Sequence, residues 1–210
     1  MKILFYGDSI TDMCRHREDN DGLPFAFGFG YPFIVESKLS EKCPTKHELI
    51  NRGISGNRIV DLYARIKADV WNHKPDVISI LIGVNDVWHE LYGGNGVDIK
   101  RFEKVYRSLI EDTLAVLPKV KFMLLAPFVL EGSSTDEKFN EFLEVKEYAK
   151  VVERLAKDYN LTFVPLQAKF DEMASLYGAR TYLFDGVHPS VAGSTLIANE
   201  WFKAFEGIEE

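Results

Sequence analysis

An α/β sandwich, with a parallel sheet covered by helices on both faces, is the fold class this sequence predicts. Short apolar runs rich in β-branched and aromatic residues recur along the chain, and stretches of helical periodicity separate them. Strands that alternate with helices need crossover connections, and crossovers make parallel strands buried on both sides. No internal repeat, low-complexity tract or linker marks a second unit, so residues 1–210 are expected to form one domain. A chain of 210 residues, 46% hydrophobic and 27% charged, suits a single core.

The expected strands are Lys2–Tyr6, Glu48–Asn51, Asp76–Ile82, Lys121–Ala126 and Leu161–Val164. Between them, helical patterns run over about Tyr31–Ser40, Arg58–Asn72, Asp98–Leu117 and Asp136–Tyr159. A last helix is expected from Pro189 to about Phe205, since proline suits the first helical position. In open parallel sheets ligands sit outside the carboxyl ends of the strands. That focuses attention on Gly7-Asp8-Ser9, the segment from Asn51 to Asn57, Gly83-Val84-Asn85-Asp86, Ala126-Pro127-Phe128 and Asp185-Gly186-Val187-His188.

Charge and composition exclude several classes. Lys and Arg total 25 against 32 Asp and Glu, a net charge of −7, so the positive field that nucleic acid or an anionic membrane needs is missing. No apolar run reaches the roughly 18 residues of a membrane span. Cys14 and Cys43 fit no zinc spacing and read as reduced thiols, and Met1 runs directly into a strand-like segment without a signal peptide; a cytoplasmic location is expected. No metal and no cofactor is expected, and the partner is a small, uncharged molecule.

The chemistry rests on Ser9, which ends the first strand where a turn presents its hydroxyl. Serine is a weak nucleophile and needs a base that a third group orients. His188 stands three residues after an acid, Asp185, in a loop that then enters a helix. That spacing lets Asp185 fold back on Nδ1–H while Nε2 faces Ser9. Donors for a developing oxyanion are the Ser9 N–H, the Gly56 N–H and the Asn85 side-chain amide, each leaving a different strand. Glycine at 56 lets the backbone approach the reacting carbon closely.

These residues resemble the SGNH/GDSL hydrolases, through GDSIT at Ser9, NRGISGN at Gly56, GVND at Asn85 and DGVHPS at Asp185 and His188. A Gly-Asp-Ser tripeptide alone occurs by chance, but the four blocks stand in family order from residue 7 to 190. The resemblance implies a flavodoxin-like three-layer α/β/α sandwich with a five-stranded parallel sheet. It also implies Ser9 as nucleophile and first oxyanion donor, Gly56 and Asn85 as the other donors, His188 as general base and Asp185 as its orienting acid. The activity implied is hydrolysis of a small ester through an acyl-serine intermediate.

Other residues admit blander readings. Asp8 and Asp86 beside the motif residues read as backbone-bonding turn acids, and Gly53 as a turn glycine with positive φ. Trp88 and His89 are candidate walls of an acyl or sugar pocket, with His89 alternatively a solvated loop residue. Phe128 and Leu130 either shape the pocket or cover the sheet edge. His16, His47 and His73 read as surface residues. The long segment from Asp12 to Tyr31 reads as a recognition flap, whose Arg15 and Arg17 either meet an anionic group or are solvated. Arg52 and Arg58 either contact substrate or pair with a nearby acid such as Asp61. The turn Gly93-Gly94-Asn95-Gly96 is a second candidate lid.

Within the resemblance, substrates range over acetylated sugars, short-chain and aryl esters, thioesters and lysophospholipids. Trp88, Tyr92 and Tyr31 suit stacking on a sugar and favour carbohydrate deacetylation. Two readings compete: a metal-dependent phosphoesterase using Asp8, Asp12, Asn85, Asp185 and His188, and a non-catalytic carbohydrate-binding module. The acyl group, the alcohol and the oligomeric state are not encoded legibly.

Overall fold

Lys2–Gly7 forms the first strand (β1), and a single turn of helix, Ser9–Asp12 (α1), follows at once. The chain continues through α2 (Tyr31–Lys42), β2 (Glu48–Gly53), α3 (Ile59–Asp69), β3 (Val77–Leu81), α4 (Val84–Gly93), α5 (Ile99–Val116) and β4 (Lys121–Leu125). It ends through α6 (Phe139–Phe142), α7 (Val145–Asp158), β5 (Thr162–Val164), α8 (Gln167–Tyr177), α9 (Ala179–Tyr182) and α10 (Val191–Glu209). The computed structural model describes residues 1–18 and 23–209, without the side chain of Glu209.

All five strands are parallel, in the order β2-β1-β3-β4-β5. This is the doubly wound, flavodoxin-like order, whose winding reverses at β1 and β3 and leaves a crevice between their carboxyl ends. Alternation along β1 displays the two helical layers. Phe5 packs on Tyr31 of α2 and Trp201 of α10, whereas Tyr6 donates its hydroxyl to the Leu62 carbonyl of α3, 2.6 Å away. The α2 and α10 helices pack together as one layer, and α3, α5 and α7 pack in a row as the other.

All five expected strands are present, with ends shifted by at most two residues. The helices differ more. The stretch expected as one helix from Asp136 to Tyr159 is a turn of 3-10 helix, then α6, then α7. Phe142 in α6 turns onto Trp88 and Tyr92 of α4, while Tyr148 and Val152 of α7 face the core, and one straight helix cannot serve both targets. The last helix starts at Val191, because Pro189 pairs with Leu183 in an isolated antiparallel bridge and Ser190 Oγ accepts the Gly193 N–H. Four helices were not expected, of which α1 and α9 are single turns and the other two are longer. One is α8; the other is α4, which begins one residue after Gly83, so that Asn85, Trp88 and His89 lie on a helix rather than in a loop. The Gly93–Gly96 turn is the stop signal of α4: Gly94 is left-handed, and the Gly94 and Asn95 N–H groups bond back to Glu90 and His89.

Candidate active site

Ser9 opens α1 directly after β1. Its neighbour Asp8 caps that turn, with Oδ1 accepting the Ile10 N–H at 2.9 Å. Ser9 Oγ is 2.9 Å from His188 Nε2, across 179 residues of chain, and His188 Nδ1 is 2.7 Å from Asp185 Oδ2. With Nδ1–H donated to a carboxylate, Nε2 carries the lone pair that faces the serine hydroxyl.

Asp185 is held from several sides. Its Oδ1 accepts the Val187 and His188 N–H groups at 3.0 and 2.7 Å, and Ser134 Oγ donates to Oδ2 at 3.2 Å. The segment carrying Ser134 is laced to this loop by two backbone bonds, Leu130 N–H to Gly186 O and Ser134 N–H to Asp185 O. Burial alone would raise the Asp185 carboxyl, but the bonds from the His188 ring and from the two backbone N–H groups bring it down to about 2. The bond to Asp185 in turn raises His188 above its ordinary value, against the effect of its burial.

The three oxyanion candidates leave β1, β2 and β3. Gly56 has φ of +82°, while a Cβ there would meet nothing within 4 Å. The positive φ alone favours glycine at this position. Asn85 Nδ2 donates to the Asn57 carbonyl at 3.0 Å, so one amide hydrogen ties α4 to the Gly56 turn and the second is left over. Neither the Ser9 nor the Gly56 N–H has a partner among the described residues.

Arg65 joins these ends. It donates to the Gly7 and Arg52 carbonyls and to Asn57 Oδ1, pairs with Asp69, and lies 4.4 Å from the centre of the Tyr6 ring. Gly53, expected to need positive φ, is instead the end of β2. A Cβ there would come within 2.4 Å of the Asp12 nitrogen, so its role is to let α1 approach.

Of the candidate pocket residues, the half-buried Trp88 lies beside His188, with ring centres 6.0 Å apart. His89 is also half-buried, and its pKa is lowered by burial and by Arg58. Phe128 departs from expectation. It is fully buried and stacks on Phe170 of α8 at 4.3 Å, so it anchors that helix and offers no surface to a ligand. Leu130 is buried as well. An aromatic residue that sequence reasoning passed over, Phe184, is 49% exposed and stacks near His188 with ring centres 5.8 Å apart. Its position immediately before Asp185 is the signal by which it could have been found.

The blander readings hold for several charged groups. Asp86 accepts the Ile59 N–H that opens α3, and burial raises its pKa well above the usual carboxylate range. Burial likewise pushes Asp8 up to about 7, and its Oδ2 has no hydrogen-bond partner among the described residues. Arg58 pairs with Asp61 at the start of α3. Arg15 departs from its blander reading: it is buried, not solvated, and donates Nε–H to the Gly53 carbonyl. Arg17 pairs with Asp12, whose Oδ2 also accepts from Ser55. His73 is half-buried against Arg52 rather than fully at the surface. In the expected flap, residues 23–31 fold back on α1, through Phe29 N–H to Met13 O and the Asn51 amide bridging Thr11 O and Phe27 O; residues 19–22 lie outside the described residues. Among the described residues, no group of three or more His, Cys, Asp or Glu side chains is placed to hold a metal ion, and no helix is long and apolar enough to cross a membrane.

Comparison with known proteins places this geometry among relatives. Residues 5–196 match the model of the GDSL-like lipase/acylhydrolase family. An acetylxylan esterase from Geobacillus stearothermophilus is 36% identical over 207 residues, covering 96% of this chain and 92% of that protein. Its crystal structure aligns with a TM-score of 0.87 over 97% of this chain and 93% of that one. Variants of that esterase described as catalytic mutants replace an aspartate in one structure and a serine in another. A protein from Parabacteroides merdae described as a GDSL-like lipase aligns with a TM-score of 0.91 at 38% identity, covering 98% of this chain and 95% of that one.

Proposed function

The chain belongs to the GDSL-like lipase/acylhydrolase family and is a carboxylic ester hydrolase, and on that premise we propose that Ser9, His188 and Asp185 carry its chemistry on O-acetylated carbohydrate. The observation that carries the assignment is the pair of contacts linking the three groups, at 2.9 and 2.7 Å.

His188 Nε2 takes the Ser9 proton as Oγ attacks the ester carbonyl carbon. The Ser9 N–H, the Gly56 N–H and the free hydrogen of the Asn85 amide bind the oxyanion, each donor worth about 3 kcal/mol of barrier. His188 then protonates the departing alcohol oxygen, leaving acyl-Ser9. Water, deprotonated by the same nitrogen, releases the carboxylate and restores Ser9. Asp185 stays ionised throughout and holds the imidazole in the tautomer the step requires.

Acetylated sugar is favoured by the acetylxylan esterase relative and by the aromatic rings of Trp88 and Phe184, each beside His188. His89 and Trp88 form one wall of the pocket in this reading, and Phe128 has no part in it. Residues 1–210 act as one catalytic domain, in the cytoplasm, where the exposed thiols of Cys14 and Cys43 stay reduced.

An ester panel tests the substrate, varying acyl length from acetate upward on both aryl and sugar alcohols. Highest kcat/KM on sugar acetates is expected; preference for longer acyl chains or for aryl alcohols would overturn the carbohydrate assignment. Ser9→Ala tests the nucleophile. Activity is expected to fall by several orders of magnitude with Tm nearly unchanged.

A further inference from the structure

Away from the Ser9 crevice, α2, α8 and α10 enclose an open groove of about 700 Å³. That volume is of the size small organic ligands occupy. Its floor is apolar, formed by Met173, Leu196 and Phe202, and its rim carries Lys38, Lys42, Lys169 and Lys203 with Glu200 as the one acid. A chain of net charge −7 thus concentrates four ammonium groups around one apolar trough.

Two of the four are already neutralised, Lys169 by Glu172 at 2.8 Å and Lys203 by Glu200 at 2.7 Å. The other two are not. Lys38 donates to the neutral Asn199 amide oxygen at 2.6 Å, and Lys42 has no acid partner among the described residues. Both ammonium nitrogens lie over the same Phe202 ring, 5.5 and 5.9 Å from its centre. Two like charges that converge on one ring leave a position where an anion is attracted by both.

We propose that this groove binds a medium-chain fatty carboxylate, its head between Lys38 and Lys42 and its tail along Met173 and Leu196. Met173, Leu196 and Phe202 favour an alkyl tail over a hydroxylated chain, and the two cations without an acid partner among the described residues select a carboxylate over a neutral alkyl chain. The site also borders the catalytic loop. Tyr182 and Ala192 line the groove, and they bracket the residues that carry Asp185 and His188; the Tyr182 carbonyl accepts the Ser190 N–H at 2.9 Å. Such a ligand is chemically the acid half of an ester.

Isothermal titration of the intact protein with octanoate, and with octanamide at the same ionic strength, tests this. One octanoate is expected to bind, octanamide more weakly, and the Lys38→Gln/Lys42→Gln double variant to bind octanoate about tenfold more weakly or worse, with its ester hydrolysis unchanged. Absence of octanoate binding, equal binding of octanamide, or equal binding by the double variant would each overturn the proposal, the last by placing octanoate elsewhere, as in the Ser9 crevice. A groove closed by a second copy of the chain shows as a sedimentation coefficient that falls in the double variant while octanoate fails to bind the wild type; that result also overturns it.

Discussion

Asp185 is the most heavily braced side chain of the site, and its bonds have separable consequences. Asp185→Asn removes the acceptor that fixes the His188 tautomer, so kcat is expected to fall by orders of magnitude, measured on any accepted ester. Ser134→Ala removes only the 3.2 Å bond to Oδ2, and a loss of about 1 kcal/mol, less than about tenfold in kcat, is expected. Ser9, Asp185 and His188 were legible because each stands inside a short block whose spacing already states its role. Ser134 was not, because it reaches Asp185 across 51 residues and its own neighbours form no pattern. Phe128 was misread for a related reason: a residue following a strand end points either into the crevice or under the next helix, and here the unforeseen α8 supplies Phe170 to bury it. Phe128→Ala is therefore expected to cost about 3–5 kcal/mol of stability in denaturant unfolding while KM stays near the wild-type value.

At the level of elements, strands were read more accurately than helices. Apolar runs buried on both faces are short and sharply bounded, so their positions survive in sequence. Helix α4 was hidden because Gly83-Val84-Asn85-Asp86 has turn composition, yet the turn is only the entry to a helix that Gly94 ends ten residues later. Its presence changes the account of Asn85, whose amide is aimed by a helix and tethered to the Gly56 turn instead of hanging from a loop. Gly56→Ala tests that turn. With φ of +82° and open space around the Cβ, the change costs conformation alone, about 1–2 kcal/mol, and kcat is expected to drop as the Gly56 N–H swings away, with KM little altered.

Across the whole molecule, buried ionisable groups set the response to pH. His188 must be neutral to act as base, and its pKa lies above the ordinary 6.5, so kcat/KM is expected to fall as pH drops through that raised value, with Asp185 ionised down to about 2. Asp8 adds its charge to that field, and Asp8→Asn is expected to move the acid limb to lower pH. Stability follows the opposite course. Asp8 rises from 3.8 to about 7 on folding, so its contribution is fully present below pH 3.8 and lost as pH rises through about 7. His188, also raised, contributes fully below 6.5 and loses that contribution as pH rises through its folded value. Melting temperature is thus expected to decline from weakly acidic to weakly alkaline buffer, and to decline less in Asp8→Asn.

The contact between Ser9 and His188 joins the first strand to the loop before the last helix, 179 residues apart. Turnover is therefore a late event in the life of each molecule: β1, the Gly56 turn and α4 can assemble early, but no acyl transfer occurs until α10 has docked and Trp201 has met Ser79. During refolding, hydrolysis is expected to return with the near-ultraviolet signal of the buried tryptophan and to lag the recovery of helix content.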